Sequence, residues 1–223
     1  MTNQEILSHV DHTLLKPYAT WEDIKGLCDE AVLYHTASVC VPPCYIKRIH
    51  DAYGEKLKIC TVVGFPLGYS VTESKLREVA QALADGCDEI DMVVNISDVK
   101  NGCYEKVEQE IRTVKKVCGH HILKVIVETC YLTEAEKLAM CRAVTDAGAD
   151  YIKTSTGFGT DGATRADVEL FAKHIGPNVK IKAAGGISTR EDMEMFLALG
   201  CDRLGTSRAV GLLSGQKSSE GEY

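Results

Sequence analysis

Gly148-Ala149-Asp150-Tyr151-Ile152-Lys153 states a corner that this chain uses three times. The same arrangement returns as Gly86-Cys87-Asp88-Glu89-Ile90-Asp91 and as Gly200-Cys201-Asp202-Arg203-Leu204-Gly205. Each reads as a helix closed by a glycine, an Asp two residues on, and the start of a strand. Glycine suits the left-handed residue that ends a helix. A recurring helix-to-strand corner is what repeated βα units require.

Helix starts fit the same scheme. Thr20, Thr72, Thr133, Thr164 and Thr189 each precede an amphipathic run: 21–33, 73–85, 134–147, 165–175 and 190–199. Asp23, Glu136 and Asp192 stand at capping-box distance from their threonines. A further amphipathic run covers 104–117. Between the helices lie strand candidates at 10–13, 38–41, 59–64, 90–94, 123–128, 151–155, 180–184 and 203–206. Strands alternating with helices to this count predict an α/β fold, a (β/α)8 TIM barrel. A doubly wound open sheet is the alternative, weakened because no Gly-x-Gly-x-x-Gly follows the first strand. The expected organisation is one barrel domain over residues 1–213 and a polar, mobile tail over 214–223.

Composition narrows the function. The chain has 223 residues and a net charge of −7, with no long basic run, which argues against a nucleic-acid partner. Residues 1–15 carry Glu5, His9 and Asp11 and so lack a signal-peptide core. No apolar stretch is long enough to span a membrane, and a cytoplasmic location is the default. Ten cysteines are scattered without a Cys-x-x-Cys pair. That argues against a disulfide framework or a zinc site and for small buried thiols in a reducing compartment.

Two lysines carry the chemistry. Side chains alternate along a strand. If Ile90 and Met92 face the helices, Asp91 points into the barrel. By the repeat, Lys153 does so too, and Lys182 follows because Ile181 faces out. Lys124 and Glu128 join them. A desolvated lysine beside a second cation gives up its proton more readily and becomes a nucleophilic amine. The alternative is a buried ion network that only holds the barrel together. Gly-rich loops follow strands seven (184–189) and eight (204–208), the second opening a short helix at 209–213. Phosphate commonly binds there in this fold, and Gly157 adds an amide. Cys40 can face the pocket from strand two or simply fill the core. His9 and His12 lack the His-x-His spacing of a metal site.

These motifs resemble the deoxyribose-phosphate aldolase family of class I aldolases. The stretches that carry the likeness are 11–17, 38–41, 64–68, 89–93, 124–129, Lys153-Thr154-Ser155-Thr156-Gly157 and Lys182-Ala183-Ala184-Gly185-Gly186-Ile187. The resemblance implies reversible joining of acetaldehyde and D-glyceraldehyde 3-phosphate to give 2-deoxy-D-ribose 5-phosphate, in deoxyribose catabolism. It implies Lys153 as the Schiff-base lysine, with Lys182 lowering its pKa. Asp91 would work with Lys182 and a water as general acid and base. Gly157, Gly185, Gly186, Gly205 and Ser207 match phosphate-binding positions, and Cys40 and Thr154 are counted among the substrate contacts. Tyr223 matches a C-terminal tyrosine that folds over the site. No cofactor or metal is expected, since the iminium does the polarising, and a homodimer is the family's expectation. Ser188 replaces an Arg common in the family, Phe158 a Lys, and Arg208 a Ser. A metal-dependent aldolase or a silent phosphate-binding barrel would be the competing readings.

Overall fold

Eight parallel strands close on themselves in sequence order in the computed structural model, which describes residues 1–214. They are β1 (Val10–Thr13), β2 (Ser38–Val41), β3 (Ile59–Val63), β4 (Glu89–Val93), β5 (Ile122–Ile126), β6 (Tyr151–Lys153), β7 (Lys180–Ala184) and β8 (Cys201–Thr206). β1 pairs with both β2 and β8, so the described sheet has no open edge. This is the expected (β/α)8 barrel. The doubly wound alternative falls, because it would leave two edge strands.

The helices are α1 (Asn3–Leu7), α2 (Trp21–Tyr34), α3 (Ile46–Tyr53), α4 (Thr72–Ala84), α5 (Ile96–Lys100), α6 (Tyr104–Cys118), α7 (Glu134–Asp146), α8 (Arg165–His174), α9 (Arg190–Ala198) and α10 (Ala209–Leu213). Thr20, Thr133 and Thr189 form reciprocal capping boxes with Asp23, Glu136 and Asp192, and Thr164 accepts from the Asp167 amide. Each such cap contributes about 1 kcal/mol.

Thr72 departs from the pattern. The helix already includes it, Val71 is the capping residue, and the Thr72 hydroxyl instead donates to Glu110 at 2.9 Å. A buried carboxylate on α6 outbids the helix end for that hydroxyl. Helix α3 also goes beyond the sequence expectation. It is short and follows a 3-10 turn at Pro43–Tyr45, with no side-chain cap to announce it.

Strand alternation sorts the chain into two environments. Outward residues such as Val39, Ile90, Met92, Leu123, Val125 and Ile152 join one continuous apolar cluster with the helices. The inward face is charged. Burying apolar side chains on the outside supplies the driving force, at about 1.5–3 kcal/mol per large residue. That leaves the interior free for a polar constellation which would not fold a protein by itself.

Candidate active site

Lys153 and Lys182 are register partners on neighbouring strands, so their stems run side by side. Asp91 reaches both from β4, across the barrel. Its Oδ2 accepts from Lys153 Nζ at 2.8 Å and from Lys182 Nζ at 2.7 Å. Its other oxygen accepts from Lys124 Nζ at 3.0 Å. One buried carboxylate thus meets three lysine side chains.

A deeper layer closes the network. Asp11 pairs with Lys182 at 2.5 Å and with Arg203 at 2.5 Å, and accepts from Ser38 Oγ at 2.8 Å. Glu89 pairs with Lys124 at 2.5 Å and with Arg203 at 3.0 Å. The sequence reading singled out neither Asp11, Glu89 nor Arg203 as a member. The signal was present: Glu89 stands two residues before Asp91, and Arg203 two before Gly205, on the inward period of their strands. Glu128 is a correction of the opposite kind. It lies past the end of β5 at φ 55° and caps the next loop, accepting from the Thr156 amide at 3.0 Å and from the Thr156 hydroxyl. It has no ion pair with the central lysines. Burial raises its carboxyl above the usual range, against the opposing effect of those bonds.

Burial alone would raise the carboxyls of Asp91 and Asp11. The surrounding cations reverse this and hold both well below the usual range: Lys124, Lys153 and Lys182 for Asp91, and Lys182, Lys124 and Arg203 for Asp11. Burial works against the charge of Lys182, yet Asp11 and Asp91 more than compensate and hold its proton more tightly than usual. Lys182 is therefore an ammonium at neutral pH. The described network holds four cationic side chains (Lys124, Lys153, Lys182, Arg203) and three carboxylates (Asp11, Glu89, Asp91). It balances when one lysine is neutral. Lys153 touches a single carboxylate, whereas Lys182 touches two and Lys124 three. Lys153 is thus the least tethered of the three lysines.

Lys153 is also the lysine that opens to the outside. It lies at the bottom of a pocket of about 320 Å³, walled by Gly157, Gly185, Gly186, Gly205 and Ser207 together with Thr13, Leu15, Phe158, Ser188 and Arg208. All five residues expected to hold phosphate line this pocket. Gly157 and Gly186 have φ of +84° and +73° with open space beside Cα, so conformation rather than crowding calls for glycine there. At Gly205 the reason is space, since a Cβ would come within 3.2 Å of Lys182 Cε. Of the lining residues only Lys153 and Arg208 are cationic. Arg208 is exposed at the rim, and its amide donates to Thr206 Oγ1 at 3.1 Å. Phe158 meets Phe65 edge-on at 5.3 Å between ring centres.

Two expected contacts stand apart from the pocket. The Thr154 hydroxyl donates to the Ala184 carbonyl at 3.1 Å and accepts from the Ala184 amide at 3.1 Å, tying the end of β6 to β7. Cys40 is fully buried with Leu15, Cys60 and Val62, packed against Phe65. Tyr223 lies outside the described residues, as do residues 215–223 of the tail expected over 214–223. Among the described residues, His12 faces α2 and meets Glu30 at 2.8 Å, so it takes no part in the site.

Known proteins bear on this geometry. The family profile described as DeoC/LacD family aldolase matches residues 6–220. The chain is 72% identical over 218 residues to the deoxyribose-phosphate aldolase of Clostridium botulinum strain Alaska E43, covering 98% of this chain and 99% of that protein. It is 55% identical over 223 residues to the deoxyribose-phosphate aldolase of Streptococcus agalactiae, covering the whole of both. Among solved structures, the tetrameric deoxyribose phosphate aldolase of Aeropyrum pernix superposes with a TM-score of 0.90 at 33% identity, over 97% of this chain and 93% of that one.

Proposed function

The chain belongs to the DeoC/LacD family of aldolases, and from that premise we propose that it interconverts 2-deoxy-D-ribose 5-phosphate with acetaldehyde and D-glyceraldehyde 3-phosphate through a Schiff base on Lys153. The observation that carries the reading is the shared Asp91 oxygen, with one lysine above it open to a pocket and the other sealed beneath.

In the cleavage direction the Lys153 amine adds to the sugar aldehyde, and water leaves as the iminium forms. That cation is an electron sink. The hydroxyl on carbon 3 loses its proton to a base, the bond between carbons 2 and 3 breaks, and its electrons pass into an enamine. Glyceraldehyde 3-phosphate departs. The enamine carbon takes a proton, and water hydrolyses the iminium to release acetaldehyde and free Lys153. Lys182, held as an ammonium by Asp11 and Asp91, is placed to give and recover a proton through a water and to stabilise negative charge developing on oxygen. Asp91 orients both amines. The Gly157, Gly185–Gly186 and Gly205–Ser207 loops would receive the phosphate as backbone donors, with Arg208 as the cation at the rim. Breakdown of deoxyribose is the role this activity serves.

Borohydride reduction in the presence of acetaldehyde, followed by peptide mass spectrometry, tests the reading. An ethyl group on Lys153 is expected. An adduct on Lys124 or Lys182 would move the nucleophile. A folded protein that binds sugar phosphate but traps no adduct would instead be a silent barrel.

A further inference from the structure

Beneath Lys153, three neighbouring strands deliver sulfur and oxygen donors to one point. Cys40 on β2 and Cys60 on β3 are register partners, and β4 places Asp91 opposite Val62, two residues further along β3. The Cys60 thiol donates to Asp91 Oδ1 at 3.1 Å, and Lys124 Nζ donates to the Cys60 sulfur at 3.3 Å. The two sulfurs and an Asp91 oxygen all lie within 4.8 Å of one another, and all three residues are fully buried. The proposed aldol chemistry uses neither thiol.

We propose that a thiophilic divalent cation, of the Zn²⁺ and Cd²⁺ class, binds on Cys40, Cys60 and Asp91 and shuts the enzyme off. The donor set has the softness such ions select, two thiolates and a carboxylate. The spacing is close to what is required. With Zn–S about 2.3 Å and Zn–O about 2.0 Å, a tetrahedron has S–O edges of about 3.5 Å, so the Cys60–Asp91 separation of 3.1 Å opens by only a few tenths. Charge is conserved. The cation brings two positive charges, two thiol protons leave to solvent, no electrons move, and the surrounding ammonium groups face the same net charge as before. The sequence shows no zinc spacing because the ligands come from three strands rather than one loop.

Two consequences distinguish this site from a surface one. A metal on the Asp91 oxygen beside Cys60 displaces Lys124 from it and draws charge from the carboxylate that also holds Lys153 and Lys182. Entry also requires Leu15, which lines the pocket, and its neighbours Val62 and Phe65 to part over the thiols. Inhibition therefore develops progressively after mixing. The blocking half of the proposal rests on Lys153 as the nucleophile; the binding half does not.

The test uses Cd²⁺ on the full chain with Cys44, Cys103 and Cys130, the more accessible thiols, replaced by serine. One equivalent is expected to raise a sulfur-to-cadmium charge-transfer absorption and to abolish turnover over the same time course, both reversed by a chelator. Cys60→Ala and Cys40→Ala should each lose the band and the inhibition, measured against their own metal-free rates. Should either variant fail to fold, ¹¹³Cd NMR of the serine-substituted parent decides. A resonance in the range of sulfur ligation supports the site, and one confined to oxygen ligation overturns it. A band that survives Cys60→Ala in folded protein also overturns it. A band without loss of turnover overturns the blocking half while leaving the metal site in place.

Discussion

Lys75 and Lys153 are each buried against a carboxylate, and of these two Lys153 is the one that lines the pocket. Lys75 on α4 is fully buried, with its Nζ 2.8 Å from Glu110 and 2.9 Å from the Val93 carbonyl. Its stem passes where a side chain on Gly64 would stand, 2.8 Å from a Cβ there. Glu110 is completed by the Thr72 hydroxyl. There one cation meets one anion, and neither residue lines the pocket that Lys153 reaches. Lys153 is almost as deeply buried, but it shares its only carboxylate with two other ammonium groups and forms a pocket floor. Burial of a lysine is thus a poor guide to chemistry by itself. On the proposed reading, an excess of cations and an open side are what separate the reactive amine from the structural one.

The sharpest way to break this contrast is to remove each amine. Lys153→Ala should lower turnover by about 10⁴-fold or more while the protein remains folded, because catalytic nucleophiles carry effects of that size. Near-normal steady-state rates in that variant would sink the assignment. Lys182→Met should cost about 10²–10³ in kcat, the scale of a lost charge stabiliser, with borohydride trapping on Lys153 still detectable at long times. Lys75→Ala should do the reverse, destabilising the fold by about 3 kcal/mol as Glu110 loses its partner and leaving the kcat of the folded fraction near normal. Urea denaturation resolves this, and the pair Lys75→Met with Glu110→Leu should regain most of the loss.

The acid limb of stability sharpens the contrast from another side. Asp91 and Asp11 are held well below the usual carboxylate range. Their contribution is complete above about pH 4 and is lost as pH falls through the depressed values. Asp11→Asn should therefore flatten the fall in Tm between about pH 4 and about pH 2. A slope unchanged from the parent would show that the deep layer of the network does not set acid stability. The smallest effect is expected at the rim. Arg208→Ala should raise KM for the phosphorylated substrate about tenfold, as loss of a charge-assisted hydrogen bond does, and hardly affect an unphosphorylated acceptor such as D-glyceraldehyde. Equal effects on both would place the guanidinium away from the phosphate.

The barrel was legible because its signals are local. The glycine corners at 86, 148 and 200 and the threonine caps at 20, 133, 164 and 189 each act within a few residues, and each stands where the sequence puts it. What stayed hidden depends on contacts between distant segments. Thr72 looked like a cap until Glu110, on another helix, claimed its hydroxyl. Glu128 has the spacing of an inward strand residue, but its strand ends at Ile126 and its side chain turns to Thr156. Asp11 stands far from Arg203 in the sequence, and only barrel closure through β1 and β8 brings the two together. Strand β8 begins at Cys201, and the register shifts at Ile181/Lys182, so its inward residues could not be counted from β7 alone.

The charge count on the barrel floor has a bearing on the whole reaction cycle. A protonated Lys153 and an iminium on the same nitrogen carry the same charge at the same point. On the proposed mechanism only the neutral amine that attacks lacks that charge, and the iminium would give the Asp91 carboxylate back the partner an ammonium there provides. The rigid interior need not rearrange to accommodate it, and motion during turnover can be confined to the glycine loops at the mouth.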